Sequence, residues 1–185
     1  MSVALWLMLL RARLKNLPHT SIPMLLQLND GGAQIGTIPT FSPQICAREL
    51  REITPIPLID LLDAIVAEID RQKVRRLSIF GTRVTMETKL FGKLDELDIV
   101  TPTPRETDTL SGIYQRIVEG EGASPDEYAT LRALAHALDE RGQLDAILLA
   151  GTDLTFVFTP DNTDSLHLDG ARIHIDAIME RLAPK

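Results

Sequence analysis

The sequence contains one cysteine, Cys46, in 185 residues. A single cysteine excludes an intramolecular disulfide framework and every metal site built from several thiolates. The histidines are also few, four in all, and none of them forms a motif of the HExxH type. The sequence therefore predicts no metal site.

Basic residues are scarce, with 19 Lys and Arg against 26 Asp and Glu and a net charge of −7. Without a basic stripe, nucleic acid is not an expected partner. The apolar run near the amino terminus, Val3 to Leu10, is too short to span a bilayer. Basic residues follow this run, whereas a secretory signal places them before it. We therefore expect a cytoplasmic protein with no membrane association.

The composition is that of a globular protein, with 44% apolar and 24% charged residues. The length suits one medium domain or two small ones. From about Ile35 onward, short apolar runs alternate with helical patterns. The runs at 34–41, 56–60, 75–82, 96–102 and 145–151 are predicted strands, and the first of them is expected to end near Thr40.

Several helices carry clear sequence signals. Residues 60–72 place apolar side chains on one helical face, namely Leu61, Leu62, Ile65, Val66 and Ile69. Ser124, Pro125 and Glu127 form a capping box that begins another helix, which we expect to end at Gly142. The last helix, over residues 171–182, is predicted to pack through Ala171, Ile175, Ile178, Met179 and Leu182. Continuously apolar strands separated by helices predict an α/β fold, a parallel sheet flanked by helices.

Small hydroxyl residues follow three predicted strands, and ligands of open α/β sheets bind beyond the carboxyl ends of the strands. These residues are Thr40 and Ser42, then Thr82 and Thr85 after Gly81, then Thr152 after Gly151. With free backbone N–H groups at helix starts, they suit a carboxylate or phosphate. The alternative is that Ser42 and Thr82 only cap their helices. Three such strand ends together favour an anion-binding cleft.

The segments IFGTRVTME, IYQRIVEGE, AILLAGTDL and HLDGARIHIDAI occur in this order. In wording, order and spacing they resemble the aspartate/glutamate racemase family, over roughly Pro43 to Leu182. The resemblance implies a two-lobed α/β enzyme that needs no cofactor. It also implies inversion of an amino acid's α-carbon by two thiols on opposite faces, since a single base would return the proton to the face it left.

The sequence departs from the family at both thiol positions. The first motif of the family reads small or Cys, then Asn-Thr-x-His; here Thr40 stands first, Phe41 replaces Asn and Gln44 replaces His. The second motif, Gly-Cys-Thr-Glu, is Ala-Gly-Thr-Asp here, so Gly151 stands at the second thiol position. Cys46 does not replace either thiol, because it belongs to the apolar face of the next helix.

The resemblance assigns roles to the remaining residues. The expected substrate-binding residues are Ser42, Gly81, Thr82, Thr85, Gly151, Thr152 and Asp153, and the expected catalytic residues are Thr40, Asp169 and His174. Asp169 has an equally good alternative as the N-cap of the last helix. For His174 the alternative is an exposed position on the surface of that helix.

The resemblance also suggests domain boundaries. Residues 37–73 are read as a remnant of the first lobe, 74–158 as the second lobe, and 159–185 as a terminal segment whose helix returns to the first lobe. Residues 1–36 have no firm assignment. Because they lack the family's opening strand and glycine-rich loop, we expect a truncated or altered first lobe, from a displaced start or a frameshifted gene.

The predicted function is binding of a small acidic amino acid or carboxylate, with cofactor-independent α-proton transfer in the family and doubtful activity in this chain. The alternative is a non-catalytic or degenerate carboxylate-binding member. A third and weaker alternative is a relative of hydantoin racemases or decarboxylases. The resemblance implies cleft cysteines in those enzymes as well, so the missing thiols of this chain count against this alternative too. A homodimer is left open.

Overall fold

The computed structural model describes residues 21–120 and 122–183, apart from the side chains of residues 21–24 and 53. The chain divides into two compact units. Of the described residues, the first unit contains those up to Ile38 together with Ser42–Asp60, and the second contains Pro39–Phe41 and those from Leu61 onward. The apolar run Val3 to Leu10 lies outside the described residues. Within them, no helix is both long enough and apolar enough to cross a membrane.

The first unit contains two short parallel strands and helical segments. Its elements are α1 (Ser21–Asp30), β1 (Gly36–Thr37), a 3₁₀ helix (Ser42–Cys46), α2 (Ala47–Ile53) and β2 (Leu58–Ile59). The strand expected to reach Thr40 thus ends at Thr37. Cys46, which was expected on the apolar face of a helix, is buried together with Leu50, whereas Ile45 is exposed.

The second unit contains the main sheet. Its elements are α3 (Leu61–Gln72), β3 (Arg76–Gly81), α4 (Arg83–Glu87), β4 (Asp98–Ile99), α5 (Pro104–Glu119), α6 (Pro125–Gly142), β5 (Ala146–Ala150), a second 3₁₀ helix (Thr152–Phe156), β6 (His167–Asp169) and α7 (Gly170–Leu182). The strand order is β4-β3-β5-β6, and all three pairings are parallel. The predicted α/β class with a parallel sheet is confirmed.

The strand order places a topological switch point between β3 and β5. The chain leaves β3 towards β4 on one side and leaves β5 towards β6 on the other. Gly81 pairs with Ala150, and Leu149 pairs with Asp169, so the carboxyl ends of β3, β5 and β6 are neighbours. In open α/β sheets, this is the place where ligands bind.

A continuous apolar core fixes this sheet between its helices. Strands β3 and β5 are buried almost throughout, which agrees with their unbroken apolar sequence. The predicted face of α3 is buried at Leu61, Leu62, Ile65 and Ile69, while Val66 is only partly buried. The core also contains apolar residues of α5 and α6. The carboxyl ends of the strands are therefore held on a rigid base.

Capping boxes begin the two long helices. The predicted box of α6 is confirmed: the Ser124 backbone N–H donates to Glu127 at 2.9 Å, and this bond and the Arg116 side chain lower the pKa of Glu127 to about 2. Helix α5 has an equivalent box between Thr103 and Glu106, which the sequence reading missed. Pro104 occupies the first helical position, where proline is favoured because its missing N–H costs the helix no hydrogen bond.

The prediction of which face of α7 packs against the core is wrong. Ile175, Met179 and Leu182 are 51%, 55% and 62% exposed. The helix instead buries Gly170 and His174. A side chain at position 170 would come within 2.6 Å of the Phe41 ring and 2.9 Å of the Leu149 carbonyl oxygen, so the helix approaches the sheet through its smallest residue.

Candidate functional site at the switch point

Hydrogen bonds between Thr82 and Thr85 stabilise the turn after β3. Thr82 is the N-cap of α4, and its Oγ1 accepts the Thr85 backbone N–H at 3.2 Å. Thr85 is fully buried and donates its hydroxyl to the Thr82 carbonyl at 2.7 Å. The alternative that Thr82 caps its helix is thus confirmed. The role of both threonines in ligand binding stays a prediction.

Gly81 brings this turn close to the neighbouring strand. A Cβ atom at this position would lie 2.5 Å from the Ala150 carbonyl oxygen and 2.7 Å from the Thr85 hydroxyl. Real Cβ atoms essentially never come so close to backbone. The glycine therefore permits the tight junction of β3, β5 and the start of α4.

The turn after β5 carries a carboxylate beside a hydroxyl. Gly151 precedes the 3₁₀ helix that Thr152 and Asp153 begin. The Thr152 hydroxyl donates to the Asp153 carboxylate at 3.3 Å, and both residues are partly exposed. No Lys, Arg or His among the described residues forms an ion pair with Asp153.

Tyr114 of α5 occupies the space beside Gly151. A Cβ atom at position 151 would lie 2.5 to 2.6 Å from Cζ, Cε2 and the hydroxyl oxygen of Tyr114. The phenol lies close enough to Asp153 and Thr152 for both side chains to influence its pKa. Burial, followed by the negative charge of Asp153, raises the pKa of Tyr114 to about 12. At neutral pH the phenol is therefore a neutral hydrogen-bond donor.

We call Tyr114, Thr152 and Asp153 the switch-point network. The sequence analysis does not single out Tyr114, because its surroundings depend on an element that is distant in the sequence. The signal available in the sequence was Gly151 itself, because a missing side chain leaves room that a large residue of another element fills. The network combines two hydroxyls with one carboxylate, so it is suited to bind a ligand by hydrogen bonds and charge.

The end of β6 lies next along the same edge of the sheet. Asp169 is the N-cap of α7: its Oδ1 accepts the Arg172 backbone N–H at 3.0 Å and the Thr155 hydroxyl at 3.0 Å. The capping alternative for Asp169 is thus confirmed. His174 is 3% exposed, so the alternative of a surface histidine is wrong. The predicted catalytic roles of both residues stay predictions.

The two remaining predicted site residues, Thr40 and Ser42, belong to different units. Thr40 is exposed and belongs to the second unit, next to the buried Phe41. Ser42 is exposed and begins the 3₁₀ helix of the first unit. Their participation in the site stays a prediction.

Two cavities adjoin the strand ends of the second unit. One, of about 490 Å³, lies between the start of α4 and the face of α5, and both Thr82 and Tyr114 line it. The other, of about 590 Å³, is bordered by Thr155 and Asp169. Each cavity is large enough for a small ligand. Within the described part of the chain, no cluster of three or more His, Cys, Asp or Glu side chains could hold a metal ion.

The thiol of Cys46 lies in the first unit. It is buried, as predicted, and burial together with the charge of Glu49 raises its pKa. A thiol acts on a proton or on an electrophile as its thiolate, which these surroundings disfavour.

The comparisons with known proteins identify the family. The model of the Asp/Glu/hydantoin racemase family matches residues 15–178. The chain therefore belongs to this family, as the sequence motifs indicate. A comparison with curated proteins gives no match.

Solved structures of racemases share the fold. A Yersinia pestis protein described as an Asp/Glu racemase superposes with a TM-score of 0.75 at 21% identity, over 89% of this chain and 75% of its own. An aspartate racemase homologue from Pyrococcus horikoshii gives 0.72 at 21% identity, over 86% and 71%. Glutamate racemase from Francisella tularensis, in complex with D-glutamate, gives 0.60 at 13% identity, over 87% and 61%. At these identities, the likeness concerns the fold.

Proposed function

We propose that this member of the Asp/Glu/hydantoin racemase family binds a small acidic amino acid or a related carboxylate at the switch point, without a cofactor. We further propose that it does not invert the α-carbon. The Tyr114 phenol in the space beside Gly151 is the observation on which the second part depends. It means that the turn after β5 offers hydrogen-bonding groups where the family has a thiol.

The position of the hydroxyl residues supports binding. Thr82 and Thr152 follow two strands that are direct neighbours at the switch point, with Gly81 paired to Ala150. A cavity adjoins Thr82 and Tyr114. A concave site with a few convergent polar groups at such a crevice is the usual form of a small-molecule site.

The chemistry of inversion argues against racemisation. Inversion requires one group that removes the α-proton and another that delivers a proton to the opposite face. The chain has one thiol, that of Cys46, which is buried with a raised pKa. A threonine hydroxyl such as that of Thr40 is far too weak an acid to serve unaided as a carbon base. One-sided proton exchange, aided by Asp153, Asp169 or His174, is the chemistry that the residues still allow.

An exchange experiment in deuterated water tests the proposal. The protein is incubated with L-aspartate or L-glutamate, and α-deuterium and the D-enantiomer are both quantified, with heat-denatured protein as the control. We expect binding by calorimetry and no D-enantiomer. Deuterium in the L-enantiomer would indicate one-sided exchange, and its absence would indicate a non-catalytic binding protein. Formation of the D-enantiomer would refute the proposal.

A further inference from the structure

Helix α7 carries an apolar stripe that faces away from the core of the second unit. Its members, Ile175, Met179 and Leu182, are each more than half exposed. They follow one another at intervals of four and three residues, which is the spacing of a single helical face. In α3 the same kind of spacing produces a buried face. An exposed stripe of this kind marks a surface that another molecule covers.

A groove between α3 and α7 adjoins this stripe. Its cavity has a volume of about 490 Å³, and its lining includes the small side chains of Ala64, Ala67 and Ala177. Met179 belongs to both features, since it is exposed and also lines the groove. We call the stripe and the groove together the α3–α7 face. A two-fold pair of identical chains needs projecting groups and recesses on the same patch, because each copy presents the same surface to the other.

The charged side chains of the α3–α7 face are mostly paired within the chain. Glu68 pairs with Arg71 at 2.6 Å, and Asp176 pairs with Arg172 at 3.5 Å. Glu180 forms no ion pair among the described residues. It continues the row of Arg172 and Asp176 along α7, because the three residues follow one another at intervals of four. One side of the helix thus has a positive group near its start and an unpaired negative group near its end.

This near balance of charge favours one kind of partner. The whole chain has a net charge of −7, whereas the α3–α7 face has two arginines against three acidic residues. A strongly basic or strongly acidic partner finds little net charge to bind here. A second copy of the same acidic chain meets less repulsion at this face than an evenly acidic surface would give.

The size of the α3–α7 face suits a weak dimer. Helices α3 and α7 contain 12 and 13 residues and pack against each other. Each is about 20 Å long, and two helices side by side are roughly 20 Å wide. A pair of such faces buries on the order of 1,000 Å², which is at the lower end for specific interfaces. We therefore expect a dissociation constant in the micromolar range.

We infer that the α3–α7 face binds a second copy of this chain, with the two α7 helices antiparallel across a two-fold axis. In this arrangement Arg172 lies opposite Glu180 of the partner subunit, and Met179 enters the groove of the partner subunit. The charge of Glu180 is then neutralised, and the apolar stripe is removed from water. The inference concerns a different surface from the switch point and does not depend on the proposed function.

Sedimentation velocity of the full chain tests the inference. Over the micromolar range at neutral pH, the average mass should rise from that of one chain to that of two. Met179→Glu removes the projecting apolar side chain and brings a charge to the groove, so it should weaken dimerisation at least about tenfold. Val118→Glu is the matched control, because Val118 is similarly exposed on helix α5. It should leave the dissociation constant unchanged, and both variants should keep the native circular dichroism.

Charge reversal tests the antiparallel arrangement. Arg172→Glu and Glu180→Arg should each weaken dimerisation about tenfold, because like charges then face each other across the interface. The double variant with both substitutions again places opposite charges face to face. Its dissociation constant should return to within about threefold of that of the unmodified protein.

The mass of a single chain at every concentration overturns the inference. A dimer that persists in Met179→Glu overturns it as well, since the copies then meet through another surface. An equal loss of dimer in Val118→Glu has the same consequence. If the double charge reversal does not recover dimerisation, the antiparallel arrangement is wrong and the inference as stated fails.

Discussion

The turns after β3 and β5 begin with the same dipeptide, Gly81-Thr82 and Gly151-Thr152, and their threonines are used differently. The Thr82 hydroxyl accepts a backbone N–H within its own turn. The Thr152 hydroxyl donates to the Asp153 carboxylate, and both side chains influence the pKa of the Tyr114 phenol in a distant helix. A Gly-Thr pair at a strand end therefore does not by itself indicate a ligand contact, because the groups that surround it decide its role.

The two glycines differ in the same way. The missing side chain of Gly81 would meet the backbone of the neighbouring strand, whereas that of Gly151 would meet the side chain of Tyr114. A backbone atom in the middle of a sheet cannot move aside without breaking strand pairing, while a side chain can be shortened by mutation. Substitutions at the two positions should thus destabilise the protein by different amounts, and a second mutation should relieve the destabilisation at only one of them.

Gly81→Ala should have the largest effect. Its Cβ would lie 2.5 Å from the Ala150 carbonyl oxygen, so β3 and β5 must separate at their ends. We expect a loss of about 3 kcal/mol in the free energy of unfolding, at the upper end of typical overpacking costs. Urea denaturation followed by circular dichroism measures it.

The double variant with Thr85→Ala serves as the control for Gly81→Ala. It removes the second close contact, the hydroxyl at 2.7 Å, and leaves the carbonyl oxygen where it is. Most of the loss should therefore persist. Full recovery of stability in the double variant would show that the backbone of β5 is not the obstacle.

Gly151→Ala should have a smaller effect that can be relieved. Its φ of −154° is one that any residue adopts, so the cost comes from the overlap with Tyr114. We expect a loss of about 2 kcal/mol in unfolding free energy. In a Tyr114→Ala background the same substitution should cost about 0.5 kcal/mol or less, because the overlapping atoms are gone.

A double-mutant cycle of urea denaturation measures this coupling. The variants are Gly151→Ala, Tyr114→Ala and their combination, each compared with the unmodified protein. A coupling energy near zero would mean that Tyr114 does not fill the space beside Gly151. The structural argument against a thiol-type site at this turn would then be lost.

Much of the second unit could be predicted from the sequence, because its signals are local. The α3 stripe and the Ser124 capping box each depend on residues within one or two turns of helix. The unbroken apolar runs of β3 and β5 predict burial on both faces, and hence a parallel sheet. The hydroxyl residues that follow these strands added the expectation of a cleft at the carboxyl ends of the sheet.

The features that the sequence reading missed depend on contacts between distant elements. The pattern of α5 shows that Tyr114 is buried, and it does not show that the phenol reaches Gly151 and Asp153. In α7, the apolar residues suggested the wrong face, because close approach at Gly170 turns the helix and buries His174 in place of Met179. Strand β6 has only three residues, too few for a periodic pattern.

The pH dependence of the free energy of unfolding tests the surroundings of Tyr114. Its expected change is the smallest of those predicted. The raised pKa, about 12 against an ordinary value of 10, means that the folded protein retains the phenol proton when the unfolded chain has lost it. The contribution of the phenol to the free energy of unfolding is thus present in full below pH 10 and is lost as the pH rises towards 12.

The variant Tyr114→Phe has no phenol hydroxyl, so its stability lacks this pH-dependent contribution. The difference in unfolding free energy between the unmodified protein and Tyr114→Phe should be constant from pH 7 to pH 9 and should shift by about 1 kcal/mol, to the disadvantage of the unmodified protein, at pH 11. Urea denaturation of both proteins at these three pH values measures the shift. A constant difference up to pH 11 would show that the phenol is neither buried nor close to the charge of Asp153, and the turn after β5 would then resemble the turn after β3.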